Sequence, residues 1–132
     1  MRLIACGGRK GPAPAPAGDL YTGGLFGAAR RWAEQSPDGR WGIVSGLHGY
    51  LSPDTVVAPY DHKPQDWKDI LEALDSSPAL PEHGELEVAA PLRYYLAVKH
   101  RYPHAVWVFQ ELPDKRMGYQ INWLQRHTTG VR

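Results

Sequence analysis

Sulfur is scarce in this sequence, and Cys6 is its one cysteine. That excludes an internal disulfide and any zinc site built from several thiolates, and it fits a reducing, cytoplasmic setting. Long apolar runs are missing as well. Nothing approaches the roughly 18 consecutive apolar residues of a membrane span, so no membrane partner is expected. The apolar run after Met1 stops at Gly7, which is too short for a signal peptide, and no leader is expected. No P-loop, GxGxxG or HExxH occurs, and no HxxxH has an acid beside it. We therefore expect neither a catalytic metal nor a cofactor. Acid is absent from one whole stretch: Lys115 to Arg132 contains Lys115, Arg116, Arg126 and Arg132 and no Asp or Glu. Its counterpart is Asp54 to Glu87, with nine acids against Lys63 and Lys68, so the net charge of +1 conceals an asymmetry. A basic terminal segment is the kind of footprint that meets phosphates, although a solvated helix face reads the same way.

What is present is a regular alternation. Arg2 to Cys6 reads as a buried strand ended by Gly7-Gly8. A long loop follows, in which Pro-Ala repeats favour extended backbone. Leu25, Ala28, Ala29 and Trp32 are spaced as one face of a helix that ends near Ser36-Pro37. Arg40 to Ser45 is a second strand. Pro64 opens a helix with Trp67, Ile70, Leu71 and Leu74 on one face. Glu85 to Ala90 is a third strand, and Pro91 to Arg101 a helix with Leu92, Tyr95 and Leu96 inward. His104 to Gln110, with its "AVWVF", has the strongest strand character. Arg116 to His127 closes the chain as a helix, with Met117, Ile121 and Leu124 on one face. The order β-α-β-α-β-α-β-α predicts one α/β domain over residues 1–132, a three-layer sandwich around a mainly parallel four-stranded sheet.

In such sheets, ligands bind outside the carboxyl ends of the strands. The first strand delivers Cys6-Gly7-Gly8-Arg9-Lys10 there. The second delivers Ser45-Gly46-Leu47-His48, then Asp54 and Tyr60-Asp61, and the fourth delivers Gln110. Each residue has a plainer reading: Lys10 as a solvated lysine, His48 as a structural histidine, Asp54 as a turn former and Asp61 as a helix cap. Tyr21 and Tyr60 read as packing residues. Collected on one edge, they read together as the wall of a pocket.

Three blocks, "LIACGGRK", "DLYTGGLF" and "IVSGLHGYLSPDTVVAPYD", resemble a family of short, often phage-encoded proteins carried as a domain of unknown function. The third block is similar to the "SGLYGLLRP…PYR" stretch of the YaaA peroxide-stress family, whose members are described as DNA-binding. The first and third are similar to the C-terminal catalytic domain of archaeosine synthases, where "CSxKK" follows a strand and "YD" follows a "PLG" turn. On that likeness Cys6, Lys10 and Tyr60-Asp61 match, while Gly7 replaces the serine and Arg9 the first lysine. The resemblance implies a uracil-DNA-glycosylase-like sandwich and the handling of a modified base.

The expected function is cleavage of the N-glycosidic bond of a modified base in DNA, for instance a hypermodified pyrimidine such as 5-hydroxymethyluracil. Asp61 or Asp54 would stabilise the sugar cation or activate water, and Lys10 or His48 would favour departure of the base. Lys10 could instead attack the sugar carbon. Cys6, Gly7, Tyr21, Ser45, Tyr60 and Gln110 would contact the substrate, and Arg9, Lys115, Arg116 and Arg126 the phosphates. A monomer is expected. The rivals are a non-catalytic DNA-binding module and a transferase or lyase that remodels a base side chain.

Overall fold

The computed structural model describes residues 1–130. Its centre is β1 (Arg2–Ala5), where Leu3 and Ile4 are both fully buried but on opposite faces. A strand alternates its side chains across the sheet, so one buried on both faces reads as an uninterrupted apolar run. The same division holds in β3 (Trp41–Ser45), through Ile43 and Val44, and in β6 (Glu87–Ala89), through Val88 and Ala89. Ile4, Ile43 and Ala89 face the core formed with α2 (Gly24–Ala33) and α5 (Met117–Arg126). Leu3, Val44 and Val88 face the core formed with α3 (Trp67–Ser76) and α4 (Leu92–Arg101). The architecture is thus mixed α/β, with helices on both faces of one sheet.

That sheet has five strands, in the order β4-β3-β1-β6-β7. Four run parallel, with β1 pairing β3 on one side and β6 on the other, and β6 pairing β7 (Val106–Trp107). The fifth, β4 (Gly49–Leu51), returns antiparallel along β3. Beside the sheet, β2 (Ala15–Pro16) pairs β5 (Val56–Val57), and α1 (Ala17–Leu20) adds one turn of helix.

Several expectations are corrected. The sheet is five-stranded because β4 is hidden in the stretch read as a pocket wall. Pro64 does not open α3: it is buried against Gly46, whose added Cβ would meet Pro64 Cγ at 2.8 Å. The helix starts at Trp67 with a capping box, in which Asp66 accepts from the Asp69 amide and Asp69 accepts from the Asp66 amide. Asp61 is therefore no cap. The "AVWVF" strand shrinks to Val106–Trp107, because it pairs only with the three-residue β6, and the chain then turns at Gln110 and Leu112. Helix α4 buries Tyr94, Ala97 and Val98 and leaves Leu92 and Leu96 exposed, because its buried face is the one that packs with α3. Met117 is also exposed, at the first residue of α5.

Candidate functional site

From β1 the chain crosses to β3 on one side, and from β3 it crosses back over β1 to β6. The loops that leave β1 and β6 therefore diverge, and a crevice opens between them at this switch point. A cavity of about 590 Å³ lies there, walled by the loop after β1, the starts of α2 and α4, and the segment Tyr60 to Pro64. Four of its lining residues are cationic, Arg9, Lys10, Lys63 and Arg93, and none is an acid.

A pinned loop holds Lys10 in place. The Gly11 amide donates to the Leu20 carbonyl at 2.8 Å, the Thr22 amide to the Arg9 carbonyl at 3.0 Å, and Lys10 and Tyr21 form an antiparallel bridge. Lys10 Nζ sits 4.2 Å from the centroid of the Tyr60 ring and 5.8 Å from that of Tyr21. The negative face of an aromatic ring attracts a cation in this position.

Tyr60 is held in its turn by hydroxyls whose direction can be worked out. Ser45 Oγ, fully buried, accepts the Leu47 amide at 3.2 Å and the His48 amide at 3.1 Å. With both lone pairs engaged, its proton points to Tyr60 Oη at 2.7 Å, and Tyr60 then donates to Tyr21 Oη, also at 2.7 Å. Burial pushes the Tyr21 phenol far above its ordinary value. Burial, followed by the neighbouring Cys6 sulfur, also raises Tyr60. Cys6 Sγ lies 3.6 Å from Tyr94 Oη, and Tyr94 is raised by burial first and Cys6 second. His48 meets the Tyr60 ring edge-on, with centroids 4.9 Å apart.

The expected site residues divide accordingly. Cys6, Gly7, Arg9, Lys10 and Tyr60 line the cavity. Ser45 and Tyr21 stand behind Tyr60, and His48 stands at its edge. Asp61 is exposed at the rim, between the lining residues Tyr60 and His62. Stacking on Tyr21 or Tyr60 does not fit: Tyr21 is buried, and Lys10 covers the Tyr60 face. Asp54 is not brought to this site. It lines a different cavity with Arg40 and Trp41, at the amino end of β3, because β4 carries the chain back to that edge.

Gln110 is exposed in the turn after β7 and does not line the cavity. Lys115 Nζ donates to the Leu112 carbonyl at 2.7 Å, and Arg116 is paired with Asp114 at 2.6 Å. Arg126 ends α5, whose first residue Met117 lines the cavity, so it lies roughly 13 Å away by helix rise. Arg132 lies outside the described residues. Sequence reasoning missed Lys63 and Arg93. Arg93 follows the end of a predicted strand, which is a usable signal, but the loop after β6 matters only once the strand order is known.

Among the described residues no three His, Cys, Asp or Glu side chains stand together as metal ligands, and no helix is long and apolar enough to cross a membrane. The model of a family of unknown function, DUF6884, matches residues 1–126. No curated protein matches the chain.

Proposed function

Because the chain belongs to DUF6884, a family without a known function, we propose from its own geometry that it processes a base in DNA. The reaction proposed is hydrolysis of the N-glycosidic bond of a modified pyrimidine. The observation that carries this reading is the Lys10 ammonium, seated on Tyr60 inside the cavity at the switch point. The likeness to uracil-DNA-glycosylase-type sandwiches and to the archaeosine synthase catalytic domain belongs to this proposal, supported by a mainly parallel sheet with helices on both faces.

The parts follow from their surroundings. The nucleotide swings out of the stack to enter the cavity. The C1′–N bond breaks with its electron pair going to the base, and the Lys10 ammonium offsets that negative charge and supplies a proton. Seated over the Tyr60 ring, Lys10 serves here as a cation and not as the attacking amine. Water attacks C1′, and its proton passes to Asp61 at the rim. Asp54 has no part, since it belongs to the other edge. His48 and Ser45 keep Tyr60, and through it Lys10, in position.

The exposure of Asp61 favours a second reading, a DNA-binding module that performs no reaction. One experiment separates them: incubation with a panel of base-modified DNAs, read by mass spectrometry for free base. Base release should fall by roughly 10²-fold or more in Lys10→Met and in Asp61→Asn, and Asp54→Asn should match the unmodified protein. Binding to every DNA of the panel with no base released from any of them would end the glycosidase reading.

A further inference from the structure

Lys10 accounts for only one of the four cations at the cavity. Among the described residues, Arg9, Lys63 and Arg93 take part in no salt bridge, and no acid lines the space that they share with Lys10. An internal phosphodiester carries one negative charge, which one cation balances. Four uncompensated cations around one cavity match a group with two or more negative charges.

The glycines point to the same occupant. At Gly8, Gly23 and Gly24, all lining the cavity, an added Cβ would meet no atom within 4 Å, and none of the three has a positive φ. Neither packing nor backbone conformation asks for glycine there, and at the start of α2 glycine is a poor helix former. Gly46 shows the contrast, since its Cβ would press on Pro64. A glycine that the protein does not need leaves backbone amides open to something that approaches closely.

We infer that the cavity binds a phosphate monoester or diphosphate, gripped by Arg9, Lys63 and Arg93 against the backbone of Gly8, Gly23 and Gly24. This deepens the base-processing reading: the substrate would be a nucleotide with a terminal phosphate, either free or at a DNA 5′ end. A phosphomonoester is close to dianionic at neutral pH, which suits the charge of the site.

The test is calorimetric titration of the whole chain with pyrophosphate, then competition by a deoxynucleoside monophosphate and by oligonucleotides with and without a 5′-phosphate. Pyrophosphate should bind, and Lys63→Ala with Arg93→Ala should weaken it roughly tenfold or more. Gly24→Ala should fold normally and also weaken it, whereas Arg30→Ala, at the opposite edge, should bind as the unmodified chain does. Competition by the monophosphate or by the 5′-phosphorylated oligonucleotide supports the inference and tells the two sources apart. Absence of pyrophosphate binding, or binding indifferent to Lys63 and Arg93, overturns it. Base release that continues undiminished in saturating pyrophosphate would also overturn it while leaving the glycosidase reading intact. Pyrophosphate binding without base release from any DNA would do the reverse.

Discussion

Two cavities of nearly equal size, about 570 and 590 Å³, open at opposite edges of the protein, and they spend their charges differently. At the amino edge Arg30 donates to Asp19 Oδ1 at 2.7 Å and to the Gly18 carbonyl, and lies 3.5 Å from Glu34. The Asp19 hydrogen bond, outweighing burial, raises the Arg30 guanidinium further above its already high value. Arg40, in the same wall, donates to the Glu82 carbonyl. Those cations are engaged by the protein itself. At the carboxyl edge the cations are left without acids, and the polar groups behind them are the hydroxyls of Tyr21, Tyr60, Tyr94 and Ser45. Cavity size alone would not rank the two. The distinction lies in which charges the fold has already satisfied, and an unsatisfied set is where a ligand contributes most.

The largest expected difference between the edges is their response to alkali. Tyr21, Tyr60 and Tyr94 are raised above the ordinary phenol value of 10.0, chiefly by burial, and Tyr50 on β4 is raised the same way. Above that pH the unfolded chain releases these protons while the folded chain keeps them, so the folded state binds more protons and stability falls as pH rises. Below it the contribution is fully present. Each retained proton steepens the loss by about 1.4 kcal/mol per pH unit. Urea unfolding at pH values from neutrality to above 10 should show a decline that starts near the ordinary phenol value. Tyr60→Phe should make it shallower by about one proton. An unchanged slope in that variant would mean that Tyr60 titrates as a solvated phenol, outside the hydrogen-bonded chain of Ser45, Tyr60 and Tyr21.

Next in size is the contrast between engaged and unengaged arginines. Arg30→Ala should cost about 1–2 kcal/mol of stability, since it strands the Gly18 carbonyl and removes two charged partners. Arg93→Ala and Lys63→Ala, which break no bond of the fold, should stay within about 0.5 kcal/mol. Denaturant midpoints at constant slope measure both. If Arg93→Ala proves as costly as Arg30→Ala, the carboxyl-edge cations are structural and the comparison collapses.

The same contrast shows what could be read from the sequence. The alternation of strands and helices was legible because each long element carries its period: Leu25, Ala28, Ala29 and Trp32 in α2, and Ile70 and Leu74 in α3. Lys10 and Tyr60 were placed together correctly, from the rule that loops at strand ends build sites. Asp54 was misplaced because Gly49-Tyr50-Leu51 is too short to show a strand period. Without β4 nothing said that the chain runs back to the amino edge before it returns through β5 to Tyr60. Lys63 and Arg93 were missed for another reason. Their meeting depends on β6 lying beside β1, and strand order is a property of the packed sheet that local pattern does not carry. The exposure of Leu92, Leu96 and Met117 escaped because α4 and the start of α5 are apolar on more than one side, so the sequence offered two faces and the packing chose one.

The smallest effect concerns how DNA would lie against the protein. Lys115 and Arg126 looked equivalent in the sequence, two cations in an acid-free tail, but α5 sets them at opposite ends. Lys115 stands two residues before Met117, which lines the cavity, whereas Arg126 is at the last turn. Arg116, between Lys115 and the helix, is drawn into the Asp114 pair and has less to offer a phosphate. A nucleic acid crossing the cavity mouth would meet Lys115 and miss Arg126. Binding measured by fluorescence anisotropy between about 50 and 200 mM salt should lose about 0.9 from its log–log slope in Lys115→Ala. Arg126→Ala should leave the slope as it was. Asp114→Asn, which releases Arg116, should steepen it by a similar amount. Equal flattening by Lys115→Ala and Arg126→Ala would place the nucleic acid along the length of α5, away from the cavity that its base would have to enter.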